Sequence, residues 1–188
     1  IVIENTSEIA AGTRGSSLAV DAIKIASIKE NKALFPSLKS IKIENENHRI
    51  FEDVEITYAK RIDGVIKVYD DIVSKVVPVL SSHAFPLIIS GDHSNAGGSI
   101  AALKAAFPKK RVGVVWIDAH ADLHSPYTSP TGNIHGMPLA TALAEDNLEQ
   151  MVNELDPRTI EKWERLKNTA GISPKINVSD LVFVGVRS

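Results

Sequence analysis

No cysteine occurs anywhere in the 188 residues. This excludes a disulfide framework, a thiol nucleophile and any thiolate-held metal. It fits a reducing, intracellular setting, and a cytoplasmic location is the expectation. No apolar run reaches the ~18 residues of a membrane-crossing helix, and no signal-peptide pattern stands at the start, so no membrane association is expected. Neither sign of charge dominates: 21 Lys and Arg against 23 Asp and Glu give a formal net charge of −2. A basic footprint for nucleic acid is therefore missing, and no nucleic-acid partner is expected. A phosphate loop is missing too. Gly97-Gly98 is glycine-rich, but no Gly-Lys-Ser/Thr follows it, and close helix–sheet packing is the better reading.

What is present is an ordinary globular balance, 44% hydrophobic and 23% charged, enough for one sizeable core. Leu18, Ala22, Ile25 and Ile28 recur at helical spacing, after a loop with Gly12 and Gly15. Ser40 to Ile43 reads as a short strand. Ile62, Val65, Ile66, Tyr69, Ile72, Val73, Val76 and Val77 predict one long amphipathic helix that Pro78 ends or kinks. Leu87-Ile88-Ile89 predicts a buried strand. Ser94 is placed to cap a helix over 95–106, and the run 112–117 predicts another strand. A loop over 119–135, a helix over 136–144, a surface helix over 157–169 with Trp163 and Leu166 inward, and a strand over 181–186 complete the reading. Crossovers between strands are too long for hairpins, so the sheet is expected to be parallel and covered on both faces. No repeat or linker interrupts residues 1–188, which are expected to form a single domain. The chain starts at Ile1 and stops just after an apolar run, 181–186, so this domain is expected to be truncated.

Chemistry concentrates in one window. Of six histidines, four (His93, His120, His124 and His135) lie between 93 and 135. Asp118, His120 and Asp122 alternate just past a predicted strand, so they project together if the extended geometry persists. His93 follows an earlier predicted strand in the same manner. Ligands bind at such strand ends in open α/β sheets. Carboxylate and imidazole donors together suit Mn²⁺, Zn²⁺ or Fe²⁺. Two or three carboxylates offset two ions better than one, and a binuclear centre can ionise water at neutral pH. The blander alternative makes Asp118 and Asp122 loop carboxylates and His120 a hydrogen-bonded core histidine.

Ser90-Gly91-Asp92-His93-Ser94, Trp116-Ile117-Asp118-Ala119-His120-Ala121-Asp122 and Thr131-Gly132-Asn133-Ile134-His135-Gly136-Met137-Pro138 stand in this order. In all three motifs the chain resembles the ureohydrolases (arginase, agmatinase, formimidoylglutamase), and Asn-x-His-Gly is most similar to arginase. The resemblance implies a three-layer α/β/α fold with a mainly parallel sheet, of arginase and deacetylase type, with its C-terminal part missing. It implies two Mn²⁺ as cofactors and a small-molecule guanidino substrate, hydrolysed by a metal-bridging hydroxide; for L-arginine the products are L-ornithine and urea. It also implies a homo-oligomer, trimer or hexamer. The metal ligands implied are His93, Asp118, His120 and Asp122. His93 and Asp122 would hold one ion, and Asp118 and His120 would serve the other or bridge. Catalytic parts fall to His135, as proton shuttle, and to Asp122. Substrate-binding parts fall to His124, Thr131 and Asn133, which match positions that hold the α-carboxylate of arginine.

Two departures qualify the resemblance. Thr131 and His124 stand where familiar arginases carry Ser and Asn. The family's third metal motif and a later Glu find no counterpart in residues 1–188, so four of the usual six ligands are present and these residues alone are expected to be inactive. Other readings are agmatinase or formimidoylglutamase activity, a zinc deacetylase-type amidohydrolase, and a non-catalytic relative. Arg187 matches a family Arg, with a structural ion pair as the other reading. Residues 145–178 have no functional reading from the sequence.

Overall fold

The computed structural model describes residues 1–30 and 34–187. Ser188, the last residue after the predicted strand over 181–186, lies outside them. In chain order the elements are β1 (Val2–Asn5), α1 (Ala19–Glu30), α2 (Leu34–Ser37), β2 (Ser40–Ile43), α3 (Ile62–Ser81) and β3 (Leu87–Ser90). There follow α4 (Asn95–Ala106), β4 (Val114–Ile117), α5 (Pro138–Leu143), α6 (Pro157–Lys167) and β5 (Leu181–Val184), with short 3₁₀ turns between. Every strand pairing among the described residues is parallel, as the long crossovers predicted. The strands form two groups, ordered β2-β1-β3 and β4-β5. Asn5 pairs with Ser90, and Ile117 with Val184, so the C-terminal ends of β3 and β4 each open into a turn.

β1 is not visible in the sequence pattern. It is central in its group and buried along its whole length. Glu4 and Asn5 hide the apolar pattern. Glu4 tolerates burial because Lys24 pairs with it at 2.6 Å and the Ser40 hydroxyl donates to it. The predicted strand over 112–117 shortens to β4, and that over 181–186 to β5. The predicted helix over 136–144 is a 3₁₀ turn (Ile134–Gly136) followed by α5.

α3 buries the predicted face, including Val65, Tyr69, Ile72 and Val76. Pro78 does not end it. Pro78 and the residue whose carbonyl it would clash with, Ser74, both face solvent near the C-terminus, where that carbonyl can tilt toward water. Gly97 and Gly98 pack α4 on α3, not on the sheet as expected. A Cβ at Gly98 would lie 2.9 Å from Ile72 and 3.2 Å from the Tyr69 backbone. Ser94 does not cap α4; its hydroxyl donates to Asp92. α6 starts on Asp156, whose carboxylate accepts the Thr159 amide at 2.9 Å, and it buries Trp163 and Leu166 as its spacing predicted.

One apolar cluster lies around α3 and α6. A smaller one gathers Ile100, Val112, Trp116, Leu139, Ala142 and Ile176. Other apolar surface is left open. Leu18, Ile25 and Ile28 at and within α1 are 67%, 70% and 56% exposed, although their spacing marks one face. Val115, Ile117 and Val182 on the β4-β5 pair are exposed too.

Candidate metal centre

The turn after β3 runs tight against the chain leaving β1. Gly91 donates to the Asn5 carbonyl at 2.8 Å, and a Cβ there would press on the Ser7 carbonyl, so glycine is required. Asp92 then turns inward and His93 outward. The Asp92 carboxylate accepts the Ser94 amide at 2.9 Å and the Ala10 amide at 3.3 Å. Burial pushes its pKa up, against these hydrogen bonds.

His93 meets the end of β4. Its Nδ1 lies 2.9 Å from Asp118 Oδ2 and 2.9 Å from Asp122 Oδ2. The three ligand atoms lie within 4.8 Å of one another, a group able to hold a metal ion. Trp116 stacks on the imidazole, with ring centroids 4.4 Å apart and planes 17° from parallel. Asp118 continues the β4-β5 ladder by donating its N–H to the Val184 carbonyl at 3.1 Å. Beyond it the extended geometry does not persist. Asp122 has φ +47° and reaches His93 through a left-handed turn, fixed where its carbonyl accepts the Leu139 amide of α5 at 3.2 Å. His120 stands apart from the trio. Its Nδ1 is 3.6 Å from Asp118 Oδ1, so the two oxygens of Asp118 face different imidazoles.

The electrostatics favour positive charge at His93. The hydrogen bond that His93 donates to Asp122 raises the His93 pKa against partial burial, with help from the charges of Asp122 and Asp118. Burial pushes Asp118 up, yet the His120 and Ala119 amides and the His93 and His120 imidazoles bring it below the usual carboxylate range. A proton on His93 thus sits where two carboxylates converge. Oxygen and imidazole donors fit a divalent ion.

The predicted substrate loop forms the other wall. A cavity of about 700 Å³ is lined by all eight residues singled out from the sequence: His93, Asp118, His120, Asp122, His124, Thr131, Asn133 and His135. Gly132, at φ +72° and with the Thr57 carbonyl where a Cβ would stand, turns the loop between Thr131 and Asn133. The Thr131 hydroxyl accepts the Asn133 amide at 3.2 Å, and His124 Nδ1 lies 3.1 Å from the Thr128 hydroxyl. His135 donates its N–H to the Ala10 carbonyl at 3.3 Å. Asn147, Gln150 and Arg187 also line the cavity. The first two belong to no motif, and nothing in the sequence singles them out. Trp116 and Asp92 stand inside recognised motifs, but no spacing tells which ring or amide they meet. A second cleft of about 750 Å³ lies elsewhere, and much of its charge is paired, as in Arg49–Glu46 and Arg158–Glu55.

A family model described as the arginase family matches residues 4–188. The chain belongs to the arginase family. An arginase from Bacillus subtilis (strain 168) is 32% identical over 191 residues, covering 100% of this chain and 57% of that protein. One from Brevibacillus brevis is 31% identical, covering 96% and 54%. Among solved structures, the native Bacillus caldovelox arginase superposes with a TM-score of 0.79 at 28% identity, over 100% of this chain and 57% of that one. Entamoeba histolytica arginase in complex with L-ornithine does so at 0.79 and 26%, again over 100% and 57%. The three-layer α/β/α arginase fold with mainly parallel strands, expected from the motifs, is therefore the fold of this chain. The chain spans little more than half the length of these arginase-family relatives.

Proposed function

We propose that this chain contributes the metal-binding strand ends and the substrate loop of an enzyme that hydrolyses L-arginine to L-ornithine and urea. The convergence of His93, Asp118 and Asp122 from two strand ends, beside the Thr131–His135 loop, carries the reading. His93, Asp118 and Asp122 would hold one Mn²⁺, while Asp118, through its other oxygen, and His120 would serve a second. When bound, such a pair supplies ionised water at neutral pH. The further ligands are proposed to come from the portion of the relatives' length that this chain does not match, which makes residues 1–188 inactive alone.

The chain's own residues bind, orient and move protons. Thr131 already accepts from Asn133, so its hydroxyl proton is left to donate to a substrate carboxylate. His124 engages Thr128 through Nδ1, which leaves Nε2 for the substrate. The Asn133 side-chain amide adds an uncharged donor. Asp122 is assigned a hydrogen bond from the attacking water in addition to its ligand role. His135 is assigned the proton shuttle toward the leaving amine, a transfer suited to imidazole near neutral pH. Residues 1–188 are proposed as part of one domain in a cytoplasmic trimer or hexamer.

Full-length protein with Mn²⁺, assayed for urea against L-arginine and agmatine, tests the reading. Urea from L-arginine in preference to agmatine is expected, because the loop reads an α-carboxylate. Preference for agmatine would overturn the assignment of Thr131, Asn133 and His124. No urea from any guanidino compound would overturn the activity.

A further inference from the structure

We infer that residues 146–153 are the outer support of the substrate loop, and that Asn153 is the positioning residue that sets substrate affinity; this rests on the function proposed above. The loop over 119–133 has no strand ladder to satisfy its backbone, and buried carbonyls need partners. Asn153 is only 8% exposed, and its Nδ2 donates to the carbonyls of Pro126 at 2.9 Å and Ser129 at 2.8 Å. Its own N–H and that of Val152 both donate to the Tyr127 carbonyl, at 3.0 and 2.9 Å. Asn147 Nδ2 donates to the Leu123 carbonyl at 2.5 Å, and the Ser125 hydroxyl to the Asp146 carbonyl at 2.5 Å.

The support is anchored at its far side. Asp146 Oδ1 accepts the Trp163 indole N–H at 2.7 Å and the Lys167 ammonium at 2.6 Å, both from α6. Trp163 is fully buried in the larger core, so the loop hangs from a rigid helix. The transmission ends at the site. Ser129, held through its carbonyl by Asn153, accepts the Gly132 amide on its hydroxyl at 2.9 Å. Gly132 stands between Thr131 and Asn133. Removing the Asn153 amide frees two loop carbonyls and loosens Thr131 and Asn133, two of the three residues assigned to the substrate carboxylate, while the strand ends that carry His93 and Asp118 are untouched.

The test uses Asn153→Ala in the full-length protein, with hydrogen exchange and steady-state kinetics. Amides over 124–133 are expected to exchange faster, with those of α3 unchanged. KM for L-arginine is expected to rise about tenfold, in line with the loss of two hydrogen bonds, while kcat and Mn²⁺ affinity stay within about twofold. Unchanged exchange over 124–133, or a fall in kcat and Mn²⁺ affinity in step with KM, would overturn the inference. Should Asn153→Ala fail to fold, Ser125→Ala removes one attachment and is expected to give the same pattern at smaller size; no change there would count against it. An inactive wild-type protein would end the proposed function and leave the exchange measurement to judge the loop support.

Discussion

At the scale of single residues, the centre depends on orientation as much as on donor type. His93 is held by a stacked Trp116 on one side and two carboxylates on the other. The Trp116 indole N–H is buried without a hydrogen-bond partner among the described residues, so the ring's contribution is its flat face. Trp116→Phe keeps a flat ring and is expected to hold Mn²⁺ affinity within about threefold, whereas Trp116→Leu should lower it by roughly tenfold, the range of groups that orient a ligand. Isothermal titration with Mn²⁺ checks this, and equal losses in both variants would refute the stacking role. The donor types of the site and their order along the chain are legible in the sequence. Their geometry is not. Alternation correctly points Asp118 toward the site, but Asp122 reaches it through a left-handed turn, and His120 faces the other oxygen of Asp118.

Legibility changes at the scale of elements. α3 and α6 are long and periodic, and their buried faces follow from spacing alone. β1 is four residues with two polar side chains, and its burial depends on Lys24 and Ser40, which lie far away in sequence. The stretch after α6 is silent for a similar reason: its key contact is a buried lysine. Lys175 Nζ donates to the Ile172 carbonyl at 3.0 Å and to the Lys167 carbonyl at the end of α6. Burial lowers its pKa from 10.5 to about 8. The unfolded chain therefore binds more protons between pH 8 and 10.5, so this group makes stability rise with pH across that window. The gain is roughly 3 kcal/mol. Denaturant unfolding of wild type against Lys175→Met should show the rise only in the wild type, and parallel pH profiles would contradict it.

At the scale of the whole molecule, the uncovered apolar surface is the main discrepancy with the pattern in the sequence. The face carrying Leu18, Ile25 and Ile28 reads as inward yet is open, as are Val115, Ile117 and Val182. β3 and β4 each carry an edge with no strand partner among the described residues. Such edges and patches invite association. Residues 1–188 expressed alone are expected to bind the dye ANS and to sediment as a mixture of species, and a monodisperse monomer without dye binding would refute this. The site itself stands on donors from two strand ends that converge to hold divalent ions. Anomalous diffraction at the manganese edge, on crystals of the Mn²⁺-loaded full-length protein, tests this convergence most directly. One peak is expected among His93, Asp118 and Asp122 and a second beside Asp118 and His120. Peaks elsewhere, or His93 turned away from both carboxylates, would contradict it.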